Sequence, residues 1–139
     1  MQQRELGQAQ TPISAIGYGA MSFSDFYGPT DDAKSFAILD RCMDLGITHL
    51  DTSNVYGLGL SEQRIGAYLK QRGQQARDFF TIATKAGIAS KPDGSRYFNN
   101  SPEHLRKELD GSLQRLGVEQ VELLYVHRRD SLVPIEEVA

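Results

Sequence analysis

Four side chains suited to moving a proton stand where apolar stretches of this sequence give way to polar ones. Asp51 closes Ile47-Thr-His-Leu-Asp51, and Tyr56 follows it just before Gly57. Lys85 closes the run that starts at Phe79, and His127 closes the run that starts at Val121. Together these groups suit proton donation to a carbonyl oxygen. A free tyrosine, with a pKa near ~10, holds its proton too tightly to be a fast acid at neutral pH. A neighbouring ammonium stabilises the phenolate that proton loss leaves behind. An aspartate beside the lysine keeps it charged and in place, and a neutral histidine can hydrogen-bond and orient the substrate oxygen or share in the relay. Singly, each residue has a plainer role: loop cap, half-buried aromatic, surface charge or satisfied core histidine. The weight comes from their recurrence at successive strand ends.

The elements that must position them follow from the pattern. Residues 3–6 and 13–18 read as a β-hairpin running into a first buried strand over 15–20. Thr30 reads as the cap of a helix from Asp31 to about Leu45, stopped by Gly46. A strand over 47–51 precedes the Tyr56 loop, and Ser61 is placed to cap a helix to about Arg72. Residues 79–84 read as the third strand, and the polar stretch after it, 85–100, as a long functional or mobile loop. Ser101-Pro102-Glu103 opens a helix to Leu116 with Gly117 as its stop. A fourth strand spans 121–126, and a last helix opens at Pro134. Strand ends near 20, 51, 85 and 127 recur at roughly 30–40 residues, the length of one βα unit. The expected class is α/β, a (β/α)8 TIM-barrel type, here about the first four βα units preceded by a β-hairpin. The expected domain is residues 1–139 as the amino-terminal half of a single barrel domain, truncated before its second half. Alternation along barrel strands sets Asp51, Lys85 and His127 inward, with Ile82 and Thr84 facing the helices.

At 139 residues and 40% hydrophobic, the chain has enough apolar material for one core. A net charge of −3 and a pI near 5.6 argue against nucleic acid or an anionic membrane as partner. The polar start is not a signal peptide, and the single Cys42 suits a reducing, cytoplasmic location. Cys42 reads as a small packed hydrophobe. His49 reads as a hydrogen-bonded core residue below Asp51, and His104 as solvated. Phe23, Phe26 and Tyr27 either wall a substrate pocket or anchor their loop. His127-Arg-Arg-Asp130 is not a kinase loop, since no Gly-rich loop or D-F-G accompanies it. A metal site using Asp51 and His127 lacks any supporting cluster.

The segments 47–57, Thr81-Ile-Ala-Thr-Lys-Ala86 and Leu123-Leu-Tyr-Val-His127 resemble the aldo-keto reductase family. Arg4-Glu-Leu-Gly7 and Ile16-Gly-Tyr-Gly-Ala-Met21 are similar to its opening hairpin and first strand. The resemblance spans the whole chain. It implies NADPH-dependent reduction of aldehydes and ketones, with a catalytic tetrad at Asp51, Tyr56, Lys85 and His127. It implies cofactor contacts at Ala20, Met21 and Asp51, and a small-molecule carbonyl substrate. The competing reading is a non-catalytic fragment, or a regulatory or binding protein that keeps the reductase fold. Half a barrel would expose two strand edges, so self-association is expected.

Overall fold

The computed structural model describes residues 1–8 and 10–138. Four parallel strands form its centre: β3 (Tyr18–Gly19), β4 (His49–Asp51), β5 (Thr81–Ala86) and β8 (Leu123–Val126), ordered β3-β4-β5-β8. The registers set Gly19 beside Asp51 and Asp51 beside Ala83, while β5 and β8 continue together with Lys85 beside Tyr125 and Ala86 beside Val126. The antiparallel hairpin β1 (Gln3–Leu6) and β2 (Thr11–Ser14) precedes the sheet in the chain. Helices α1 (Asp32–Leu45), α2 (Leu60–Arg72) and α4 (Pro102–Leu116) cover one face, with α3 (Gln74–Phe79) leading into β5. The last helix, α5 (Ile135–Val138), is short.

The core lies between sheet and helices. Leu50 and Ile82 point outward from the strands into Leu39, Cys42, Ile65, Tyr68, Leu69 and Leu116. Cys42 is buried there, as its helical setting predicts. Tyr68 donates to Asp40 at 2.9 Å, tying α2 to α1, and burial followed by the Asp40 carboxylate pushes its phenol up to about 12. Helix α4 keeps the predicted cap, the Ser101 hydroxyl accepting from the His104 N–H at 3.3 Å, and ends at Gly117 in the left-handed region.

Several expectations need correction. The first strand does not run over 15–20. Ser14 and Thr48 exchange side-chain and backbone hydrogen bonds at 2.9 Å, and the Ser14 hydroxyl also donates to Ile16 O at 2.7 Å. That local bond turns the chain outward, so 15–17 are exposed and only Tyr18–Gly19 pair with β4. Asp31, not Thr30, caps α1, its side chain accepting from the Lys34 N–H. Ser61 is not a cap either. Helix α2 begins at Leu60, and the buried Ser61 hydroxyl donates to Ala20 O at 2.8 Å and pairs with Thr52 at 2.8 Å. Tertiary partners outbid the local capping preference. Phe79 ends α3, so the third strand starts at Thr81. The stretch 85–100 is largely structured, carrying the hairpin β6 (Ile88–Ser90) and β7 (Arg96–Phe98).

Candidate active site

The polar chemistry gathers at the carboxyl end of the sheet, where β5 and β8 run three residues past the ends of β3 and β4. Asp51 is the last residue of β4, with its side chain partly exposed. The chain then runs through buried Thr52, Ser53 and Asn54, anchored by Thr52 N–H to Ala83 O at 2.9 Å and Asn54 N–H to Lys85 O at 3.4 Å. These bonds extend β4 pairing past its end and fix the loop against β5. The Tyr56 N–H donates to Ser53 O at 3.2 Å. Gly57 follows at φ 60°, and a Cβ there would lie 2.9 Å from Ser24 Cβ. Only glycine combines that left-handed turn with that close approach. The turn folds the Tyr56 ring back over the strand ends.

Lys85 faces inward from β5, largely buried, and all three of its ammonium protons are engaged. One goes to the Asp51 carboxylate, one to Thr52 O at 2.8 Å and one to the Tyr56 hydroxyl oxygen at 3.1 Å. The ammonium also stands 4.8 Å from the Tyr56 ring centroid. The Tyr56 oxygen thus accepts from Lys85, and its own proton makes no hydrogen bond among the described residues. His127 follows β8, held by its N–H to Ala86 O at 2.7 Å. Its ring meets Tyr56 edge-on, centroids 5.8 Å apart. Burial, then the positive charges of Lys85 and Arg128, hold His127 below its ordinary 6.5, so it is neutral at pH 7. All four residues singled out by spacing are therefore brought together.

Above them opens a cavity of about 730 Å³, with Tyr56, His127, Met21, Phe26 and Phe98 among its lining residues. Phe26 is the one of the three loop aromatics that lines it. Phe23 is buried in the core and Tyr27 is exposed. Met21 also lines the cavity, whereas Ala20 is fully buried with its carbonyl accepting from Ser61. Ala20 therefore shapes the floor of the strand end from beneath.

Two other histidines depart from expectation. His49 packs against Gly17, where a Cβ would come within 2.8 Å of its ring, and its Nδ1 has no hydrogen-bond partner. His104 is half-buried rather than solvated, with Nε2 buried and unpartnered. Sequence reasoning also missed Glu62. It is fully buried, accepting from Thr84 at 2.5 Å and from Arg115 at 2.6 Å. Thr84 lies on the outward face of β5 beside Lys85, so this bridge braces the strand that carries the ammonium. The sole sequence signal was an acid in the first turn of α2, which reads as a dipole partner. Arg96 at the cavity wall was likewise unmarked, and Arg128 figured only in the His127-Arg-Arg-Asp130 stretch, with no role assigned. Among the described residues, no group of three or more His, Cys, Asp or Glu could hold a metal.

Comparison with known proteins identifies the family. The profile of the Aldo/keto reductase family matches residues 15–139. The aldo-keto reductase yakc [NADP(+)] of Schizosaccharomyces pombe is 40% identical over 136 residues, covering 97% of this chain and 39% of that protein. A D-threo-aldose 1-dehydrogenase of a Pseudomonas species is 35% identical, covering 83% of this chain and 40% of its own length. The holo form of a Bacillus halodurans aldo-keto reductase superposes with a TM-score of 0.83 at 32% identity, covering 99% of this chain and 44% of that one. The four-stranded α/β unit is thus part of a TIM barrel, and the chain spans about two fifths of the length of the curated relatives it matches. With the family model matching most of the chain and relatives and solved structures of one kind, the chain belongs to the aldo-keto reductase family.

Proposed function

We propose that this chain carries the acid–base set of an NADPH-dependent reductase of aldehydes and ketones. The observation that carries the reading is Lys85, whose ammonium joins Asp51 to the Tyr56 hydroxyl. The reaction adds a hydride to the carbonyl carbon and a proton to its oxygen, giving an alcohol and oxidised cofactor. A nicotinamide supplies the hydride when bound. Met21 and Asp51 fit contact with it, since Met21 lines the cavity and the Asp51 carboxylate is partly open beside Gly19. Ala20 contributes by holding the strand end beneath them. Tyr56 donates the proton: its oxygen already accepts from Lys85, which leaves O–H to point at substrate. Lys85 stabilises the phenolate left behind, and Asp51 keeps the ammonium in register. The neutral His127 ring, lining the cavity edge-on to Tyr56, orients the carbonyl oxygen.

The NADP(+) in the name of the fission-yeast relative supports the choice of cofactor. The second reading, a binding protein that keeps the reductase shape, is disfavoured by the complete set. A metabolic enzyme of this kind acts on a small-molecule substrate in the cytoplasm. No described helix is long and apolar enough to cross a membrane. The test is NADPH oxidation with a simple aromatic aldehyde, followed by absorbance, in a polypeptide carrying the complete barrel. Turnover that Tyr56→Phe abolishes, with NADPH affinity kept within about threefold, is the expected result. General acid catalysis contributes roughly 10²–10⁴-fold, so wild-type-like turnover by that variant refutes the assignment.

A further inference from the structure

One buried hydroxyl beside the acid–base set has no role in that mechanism. Ser53 is fully buried two residues after Asp51, and its Oγ lies 3.0 Å from His127 Nδ1. The other neighbours of that oxygen are the Val55 N–H at 3.4 Å, Asn54 Oδ1 at 3.2 Å and Lys85 O at 3.5 Å. The Asn54 amide is oriented by its Nδ2 donating to Glu108 at 2.7 Å, which leaves Oδ1 turned toward Ser53. The hydroxyl has one proton to give, and His127 Nδ1 is its nearest acceptor. The Val55 N–H occupies one of its lone pairs. Among the described residues, His127 Nε2 makes no hydrogen bond, and the ring lines the cavity.

We propose that Ser53 is a positioning residue that donates to His127 Nδ1, holding the ring in the Nε2–H tautomer so that a hydrogen-bond donor faces the substrate oxygen. This rests on the reductase reading and deepens it. The opposite tautomer would turn a lone pair toward the carbonyl oxygen, and repulsion would replace attraction. Ser53 also ties two strand ends together, since its backbone follows β4 and its partner follows β8. The strand between them carries Lys85. One hydroxyl therefore sets both the ring's tautomer and its angle to Tyr56.

Removing the hydroxyl has a directional consequence. In Ser53→Ala the donor to Nδ1 is lost while two acceptors, Asn54 Oδ1 and Lys85 O, remain nearby. They draw the proton onto Nδ1, and Nε2 loses it. A hydrogen bond donated to the neutral ring also disfavours protonation, so its loss makes His127 easier to protonate. The other charged groups around the ring are Lys85 of β5, Asp51 of β4, Arg96 of β7 and the adjacent Arg128, and Ser53→Ala leaves all of them in place.

The experiment labels histidine with ¹⁵N in the polypeptide that carries the complete barrel and reads the His127 tautomer by NMR, assigned by its absence in His127→Gln. Turnover is measured on the same samples. The wild-type ring is expected as Nε2–H. Ser53→Ala is expected to shift toward Nδ1–H and lose about tenfold in kcat, the worth of one modest hydrogen bond, with KM within about twofold. Its acid limb moves to higher pH, and Ser53→Thr, which keeps the hydroxyl, restores all three readouts. A wild-type ring protonated on Nδ1 overturns the inference without any variant having to fold. So does a Ser53→Ala protein whose tautomer and acid limb are unchanged. Absent turnover in a wild-type protein with the expected tautomer overturns the reductase reading instead.

Discussion

Replacing Lys85 by methionine isolates what the ammonium does, because methionine keeps the length of the stem and removes only the charge and its donors. At 3.1 Å from the Tyr56 oxygen, a unit charge interacts with a developing phenolate by about 5 kcal/mol at an effective dielectric near 20. Two effects reduce this. The Asp51 carboxylate on the same ammonium partly cancels its field, and Asp51 is open to solvent over 32% of its side chain. About 3 kcal/mol remains, or roughly a hundredfold in kcat. The variant should also lose roughly 1–3 kcal/mol of stability as Thr52 O and Asp51 lose their donor. Unfolding in urea is therefore measured beside turnover, at a temperature where both proteins are folded. The decisive measurement is the same substitution in a Tyr56→Phe background. If Lys85 acts through the phenol, the second substitution costs no more than about threefold there, since residues acting as one unit are strongly non-additive. An equal hundredfold loss in both backgrounds would show that Lys85 serves something other than Tyr56.

Three further outcomes are expected. His127 lies below 6.5 in the folded protein, so the acid limb of kcat/KM should fall below pH 6.5, and one above it refutes the neutral-histidine role. The linked stability is present above pH 6.5 and is lost as pH falls through the folded value, because the unfolded chain takes up the proton first; urea midpoints across that range check the sign. Gly66→Ala should destabilise by about 2 kcal/mol, because its Cβ would meet the α4 backbone at 2.3 Å, whereas Gly111→Ala meets only the movable Arg115 guanidinium at 3.0 Å and should be neutral or stabilising. Equal melting temperatures for the two variants would refute the close α2–α4 packing. Residues 1–139 alone should self-associate and lack reductase activity, since Tyr125 and Val126 stand 41% and 38% exposed beside an open edge. Light scattering with an activity assay checks both, and an active, monodisperse monomer refutes them.

What the sequence revealed and what it hid divide along a physical line. The strand-end residues were legible because period-2 alternation and the βα repeat fix which side chains face inward, whatever the packing does later. Helix α4 was legible because Ser101, Pro102 and Gly117 act within one turn of themselves. Ser61 misled because its hydroxyl is spent on Ala20 and Thr52, partners remote in sequence and invisible to a capping rule. Residues 15–17 misled because one Ser14 hydrogen bond turns an apolar run into an exposed bend. Glu62 and Ser53 stayed hidden for the same reason. Their roles depend on Thr84, Arg115 and His127, each on another element.

The sheet order separates the site into parts with different lifetimes. Strand β5, which bears Lys85, is hydrogen-bonded on both sides and braced from behind by Glu62, while β8, which leads to His127, pairs only with β5 among the described residues. Backbone amides of β8 therefore exchange with solvent through smaller, more frequent openings than those of β5. Each opening moves the His127 ring away from Tyr56 while the Lys85 hydrogen bonds to Asp51 and the Tyr56 hydroxyl stay assembled. The His127 end of the site and the Lys85 end are thus kinetically separable, and whatever shelters the far edge of β8 sets how long the histidine stays beside Tyr56.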